Sequence, residues 1–221
     1  MIINTYNTHI WNNGFIPFYI FLIIRGNRSL FSILEFFAAS FSLFSVIFAK
    51  KNKIWFYPIG IVSTIIYSYI TFITSLYGDF IINLSYTGMS LYGWYTWKFK
   101  RKNHTITFSD KKDYFYTALF FVFTCIFSIM VYYYFNGSLQ QSNSDWIDVF
   151  TTGIFFSGMY QMTMKKVESW IFWIIGNIIS VPIYFLKGLV LTGILFIFLV
   201  GLAIKGYVLW KEKVIHSINF D

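Results

Sequence analysis

ESWIFWIIGN, residues 168–177, sets two tryptophans and an asparagine in a run that otherwise has the apolar make-up of a bilayer-spanning helix. In a helix each residue advances by about 100°, so positions i, i+3 and i+7 lie within roughly 60° of one another. Trp170, Trp173 and Asn177 therefore project to one face. Tryptophan is common at membrane interfaces, which could account for Trp170 at the start of the span. Trp173 lies a turn deeper and Asn177 about two turns in. A buried amide often glues helices together, but three such residues on one face favour a ligand pocket.

The composition around this stretch points to an integral membrane protein. The chain is 57% hydrophobic and 24% aromatic, with 12% charged residues and a mean hydropathy of +0.61. A soluble domain carries roughly 25% charged residues, so this chain would expose large apolar patches in water. One cysteine, Cys125, excludes an intramolecular disulfide and a cysteine-based metal cluster. The histidines (His9, His104 and His216) fall in polar or terminal segments with no pair at metal-ligand spacing. No HExxH, GxSxG or phosphate-loop pattern is present. Neither an enzyme nor a metal or cofactor site is expected.

A crossing helix needs about 20 mostly apolar residues. Seven stretches qualify: 31–49, 54–73, 79–97, 114–135, 146–164, 168–186 and 189–210. FIPFYIFLII (15–24) is too short to span and lacks the basic start of a signal peptide; with the rest of 1–29 it reads as a peripheral or interfacial segment. The remaining organisation is a first three-helix bundle at 30–97, a loop, linker helix and second loop at 98–145, a second bundle at 146–213 and a short tail at 214–221.

Charge sets the orientation. Lys50, Lys51, Lys53, Lys98, Lys100, Arg101, Lys102, Lys111, Lys112, Lys165, Lys166, Lys211 and Lys213 fall on one side, against Arg25, Arg28 and Lys187 on the other. Cytoplasmic loops are the basic ones, so the C-terminus is expected in the cytoplasm and the N-terminus outside. The same bias explains the net charge of +8 without a nucleic-acid partner.

The two bundles resemble each other weakly. KIWFYPIGIVSTIIYSYITF opens one pair of spans and ESWIFWIIGNIISVPIYFLK the other, and the closing segments are LYGWYTWKFK and IKGYVLWKEK. This pairs Gly60 with Gly176, Gly93 with Gly206 and Trp97 with Trp210. Three spans plus one inverting span make the bundles parallel, a 3+1+3 repeat. Transporters built from repeats place their substrate between them, near the midplane.

The chemistry of the tryptophan face suits a flat ring. Indole faces attract a ring or a cation by about 0.5–2 kcal/mol each, and an amide adds a donor and an acceptor. A phosphorylated ligand fits poorly, because Lys205 is the one basic residue set within a span. Asn83, one turn inside the third span, is the best polar partner from the first bundle, and Ser63, Thr64, Ser85, Ser90, Asp148, Ser157 and Gln161 are further polar residues in spans. Glu35, Asp79 and Asp148 lie near span ends, so no acid is expected at the depth a proton relay uses.

These residues resemble the Pnu family of vitamin transporters. The W-x-x-W-x-x-x-N pattern of 170–177, SLYGDFIINLSYTGMSLYGWYTW (75–97) and DWIDVFTTGIFFSGMYQMTMKK (145–166) carry the likeness, which spans about 30–213. The resemblance implies seven helices in a 3+1+3 arrangement like that of the SWEET sugar transporters, assembled as a homotrimer in the bacterial inner membrane. It implies facilitated diffusion of an unphosphorylated vitamin precursor, nicotinamide riboside first, trapped by a cytoplasmic kinase. Trp170, Trp173 and Asn177 would line the substrate site. Ser63, Asn83 and Ser90 stand where nicotinamide riboside carriers tend to have amides, so thiamine or riboflavin are alternative cargoes. A seven-helix protein without transport activity is the reading of a different class; it would not need an internal duplication.

Overall fold

The computed structural model describes residues 28–73, 77–100, 105–136, 144–186 and 190–220. The expected interfacial element at 15–24 lies outside the described residues, as do Arg25, Arg101, Lys102 and Lys187. The fold is all-α. Its helices are α1 (Arg28–Lys50), α2 (Phe56–Ile73), α3 (Tyr77–Tyr95), α4 (Lys111–Asn136), α5 (Ser144–Thr163), α6 (Ser169–Leu186) and α7 (Val190–Phe220), with α3 running on into a π-helical turn over Thr96–Lys100. The seven expected spans agree within a few residues, except that α7 continues helical through most of what reads in sequence as a tail.

Local chemistry sets several boundaries. Pro58 sits in the first turn of α2, where backbone N–H groups have no intrahelical partner to lose. At α4, Asp113 N donates to Asp110 Oδ1 (2.8 Å) while Asp110 N donates to Asp113 Oδ2 (3.0 Å), a reciprocal cap on the helix start. Helices α1, α2, α4, α6 and α7 are long and apolar enough to cross a membrane. α3 and α5 are more polar, carrying Asp79, Asn83, Thr87 and Ser90 in one and Asp148, Thr151, Thr152 and Gln161 in the other. Residues of both face a central cavity.

Helix packing closes a ring. α1 packs on α2, α2 on α3, α3 on α5, α5 on α6, α6 on α7 and α7 back on α1, with α4 outside the α3–α5 seam. Contacts of α1–α3 recur in α5–α7 at a spacing of 113 residues. Asn52 and Lys165 both hold positive φ (54° and 57°) in the turns that follow α1 and α5. Asn52 N donates to Ala49 O at 2.8 Å and Lys165 N to Met162 O at 3.0 Å. Tyr57 meets Trp97 edge-on at 5.3 Å, and Trp170 meets Trp210 edge-on at 5.6 Å. A Cβ on Gly93 would lie 2.2 Å from the Tyr57 ring, and one on Gly206 would lie 2.6 Å from that of Trp170. Only glycine admits either ring.

The indole N–H groups cross between the halves. Trp97 Nε1 donates to Met162 O and Thr163 O at the end of α5 (both 3.2 Å), and Trp210 Nε1 donates to Lys50 O at the end of α1 (3.2 Å). These four rings, with Phe56, Ile106 and Val214, belong to one buried cluster at the end of the bundle that carries the lysine-rich loops. The register corrects one sequence pairing: Gly60 corresponds to Trp173, not Gly176, because every contact above repeats at 113.

One connection has no counterpart. Thr107 pairs with the α5–α6 turn through Thr107 N to Lys165 O (3.2 Å) and Val167 N to Thr107 O (3.1 Å). Ser109 N and Oγ both donate to Glu168 Oε2 (2.9 and 2.8 Å), and Lys166 Nζ lies 2.7 Å from Asp113 Oδ2. The segment before α4 is thus strapped across the turn that opens α6.

Candidate functional site

The six ring helices enclose a cavity of about 260 Å³, to which α4 adds Tyr132 alone. Its lining repeats with the fold: Gly60 and Trp173, Thr64 and Asn177, Tyr67 and Ser180, and Asn83 and Phe196 all lie on its wall, each pair 113 residues apart. Trp170, Trp173, Asn177, Asn83 and Ser63, the five residues singled out in the sequence, all line it. They are not equivalent.

Trp170 is 1% exposed and forms the cavity floor. Its six-membered-ring carbons lie 2.6–2.7 Å from the Cβ position of Gly206, so one indole face rests on the α7 backbone. Trp173 stands a turn higher on α6 and packs at 5.5 Å against Phe155. Gly158 lies against the start of α6: a Cβ there would come 3.1 Å from Phe172 Cβ and reach ordinary contact, 3.4 Å, with Trp173 Nε1. Phe155 in turn lies over Gly176, where a Cβ would be 2.5 Å from its ring. The two tryptophans therefore do not form a free-standing sandwich. One is a packed floor, and the other joins Phe155 in a wall.

Their polar atoms are left over. Trp170 Nε1, Trp173 Nε1 and Asn177 Oδ1 are buried without a hydrogen-bond partner among the described residues. A buried unpaired polar group costs about 1–3 kcal/mol, and folded proteins keep few of them. Two donors and one acceptor from a single lining helix are what a ligand bearing both kinds of group would satisfy.

Ser63 and Asn83 are more committed. Ser63 Oγ donates to Ala38 O (2.8 Å) and lies 2.6 Å from Ser42 Oγ, which ties α2 to α1. Asn83 Nδ2 donates to Asp79 O within its own helix (2.9 Å), so its oxygen is the group it presents. Thr64 shares a hydrogen bond with Thr87 (2.7 Å).

Sequence reading missed three carboxylates. Glu35, Asp79 and Asp148, placed near span ends by their positions, line the cavity. Glu35 is 6% exposed and accepts from Thr192 Oγ1 (2.6 Å) and Thr192 N (3.3 Å). Asp79 accepts from Tyr132 (3.2 Å). The spacing could have found two of them, since Glu35 and Asp148 are themselves 113 apart. Among the described residues, no Lys, Arg or His lines the cavity, and no group of three His, Cys, Asp or Glu is placed to hold a metal ion. The site is polar, aromatic and acidic, a lining that can bind and orient a small flat molecule.

Comparison with known proteins places the chain in a family. The sequence profile described as nicotinamide mononucleotide transporter matches residues 32–212. The nicotinamide riboside transporter PnuC of Escherichia coli (strain K12) is 24% identical over 73% of this chain and 78% of its own length. The nicotinamide riboside transporter PnuC of Shigella flexneri gives the same figures. A crystal structure of the vitamin B3 transporter PnuC has the same fold, with a TM-score of 0.63 and 21% identity over 90% of this chain and 88% of that one.

Proposed function

The chain belongs to the nicotinamide mononucleotide transporter family, and we propose that it imports nicotinamide riboside rather than the mononucleotide. The observation that carries this reading is the cavity lining: among the described residues, Trp170 Nε1, Trp173 Nε1 and Asn177 Oδ1 are buried without partners and no Lys, Arg or His lines the cavity. A phosphate brings one to two negative charges and is bound by cations or by helix N-termini. The riboside brings a flat carboxamide ring and sugar hydroxyls, which suit indole donors, an amide acceptor and aromatic faces. Its name for the relatives in Escherichia coli and Shigella flexneri agrees with this choice.

In this reading Trp170, Trp173 and Asn177 are the principal contacts and Asn83 adds an acceptor from the first half. Ser63 acts more through α1–α2 packing than through its hydroxyl. The two bundles rock about the cavity as parallel triplets, and transport is facilitated diffusion followed by trapping through a cytoplasmic kinase. The protein works as a homotrimer in the bacterial inner membrane, its basic loops and C-terminus in the cytoplasm and its N-terminus outside.

The test is a titration of the purified protein with nicotinamide riboside, thiamine and riboflavin, followed by tryptophan fluorescence. Quenching by the riboside at the lowest concentration supports the assignment. Quenching by thiamine or riboflavin alone keeps the site and changes the cargo. No quenching by any of the three favours a seven-helix protein that does not transport.

A further inference from the structure

We infer that the three carboxylates of the cavity, with Glu35 foremost, select the substrate by its positive charge; the inference rests on the transport reading and adds the rule by which the cargo is chosen. A buried carboxylate is costly in a low-dielectric interior, and within membrane spans such residues face a pathway or a partner. Glu35 is 6% exposed on the cavity wall, and its hydrogen-bond donors, Thr192 N and Oγ1, are both neutral. A carboxylate there is hydrogen-bonded, and neither of these two partners neutralises it.

The 113-residue repeat spreads this charge around the ring. Asp148 occupies on α5 the position that Glu35 occupies on α1, and Asp79 occupies on α3 the position of Thr192 on α7. One carboxylate thus serves the α1–α7 seam and two serve the α3–α5 seam, where Tyr132 donates to Asp79 at 3.2 Å. The carboxylates are not gathered as a metal site is. Lower on the same wall, Asn177 is 3% exposed and its unpartnered Oδ1 adds a further negative end. The faces of Trp173 and Phe155 attract cations as well. Among the described residues no cationic side chain lines the cavity, so the Glu35 carboxylate, the Asn177 oxygen and the ring faces act in one direction, and low-dielectric walls focus them. A pyridinium ring fits this field, whereas a neutral ring of the same shape gains nothing from it.

Nicotinamide riboside and its reduced dihydro form make the comparison, since they share sugar and carboxamide and differ in ring charge. The purified full chain is titrated with both, as wild type, Glu35→Gln and Asp148→Asn. Glu35→Gln keeps an oxygen to accept from Thr192, so the fold has little reason to change, and thermal unfolding checks this. The expected result is about a tenfold or greater loss of affinity for the cationic riboside in Glu35→Gln, a smaller loss in Asp148→Asn, and less than about a threefold change for the reduced form in both. Equal losses for the two forms, or none for the cation, overturn the inference. If wild-type protein binds neither riboside, it is the cargo assignment that fails. The charge rule is then read from thiamine against neutral riboflavin, and thiamine binding undiminished in Glu35→Gln overturns it.

Discussion

Replacing Asn177 by leucine separates a ligand contact from a structural amide. Asn177 is 3% exposed, and its Oδ1 has no hydrogen-bond partner among the described residues. Were it glue between helices, its removal would cost the bond it makes. Here there is no such bond to that oxygen, and the side chain sits on the cavity wall of α6, a helix otherwise rich in apolar residues. Leucine, of similar size, removes a desolvation cost of about 1–3 kcal/mol. Unfolding temperature in detergent should therefore hold or rise by a few degrees. Ligand affinity should fall by the hydrogen bond lost, about 0.5–1.5 kcal/mol, or roughly two- to tenfold in Kd. Two measurements on one preparation decide the matter: thermal unfolding without ligand and calorimetric titration with nicotinamide riboside. A destabilised variant with unchanged affinity would refute the reasoning, because it would make the amide a structural group.

Other substitutions probe the packing and the strap. Gly206→Ala drives a methyl into the Trp170 ring, 2.6 Å from its nearest carbon, and should cost about 1–3 kcal/mol; Gly201→Ala, with nothing within 4 Å, should be neutral or slightly stabilising, and thermal unfolding compares the two. Trp173→Ala should lose most riboside uptake in whole cells while the protein remains in the membrane fraction, since Phe155 is the one aromatic contact it leaves behind. Unchanged uptake would remove Trp173 from the site. Glu168→Ala deletes the acceptor of Ser109 N and leaves Ser109 Oγ to Gln161 Oε1 (2.8 Å), so amide hydrogen exchange should accelerate over 105–110 by more than about fivefold, matching a loss of about 1–3 kcal/mol, with little change at α2.

The helices were legible because a bilayer imposes one rule on every span: some twenty apolar residues with the backbone satisfied internally. The tryptophan face was legible for the same reason, since Trp173 and Asn177 violate the apolar rule at depth. Asp79 and Asp148 lie near helix starts as expected and are half-buried, but Glu35 is 6% exposed, because distance from a span end in sequence does not give distance from water. The ring of helices extends past them, and a residue near a helix end can still face inward. The glycines mislead more. Aligning Gly60 with Gly176 matches residue type, but a glycine is placed by its neighbour's bulk, and the neighbours differ: Ser45 Oγ would lie 3.0 Å from a Cβ at Gly60, while Phe155 lies over Gly176. The correct register shows in Gly93 and Gly206, where both halves press an aromatic ring on the backbone.

That register also explains why a nearly two-fold cage can hold an asymmetric ligand. Two identical halves would offer every group twice, and a ring with one carboxamide and one sugar would bind equally in two orientations. The differences fall at the cavity wall while the supporting contacts stay paired. Tyr57 and Trp170 both lie on a glycine and meet a tryptophan edge-on. One turn along, however, Gly60 is the equivalent of Trp173, and beyond it Thr64, already bonded to Thr87, is the equivalent of Asn177, whose Oδ1 has no partner among the described residues. The neighbours exchange as well: Gly158 lies beside Trp173 in the second half, where Ser45 lies beside Gly60 in the first. The second half thus supplies the aromatic wall and the spare polar atoms, and the first half supplies space. Enlarging residue 158 should test this division: Gly158→Ser puts the first half's side chain beside α6, its Cβ 3.1 Å from Phe172 Cβ and 3.4 Å from Trp173 Nε1. It should weaken riboside binding more than it lowers stability, whereas Ser45→Gly should leave binding nearly unchanged. Equal effects of the two on affinity would show that the halves share the ligand evenly.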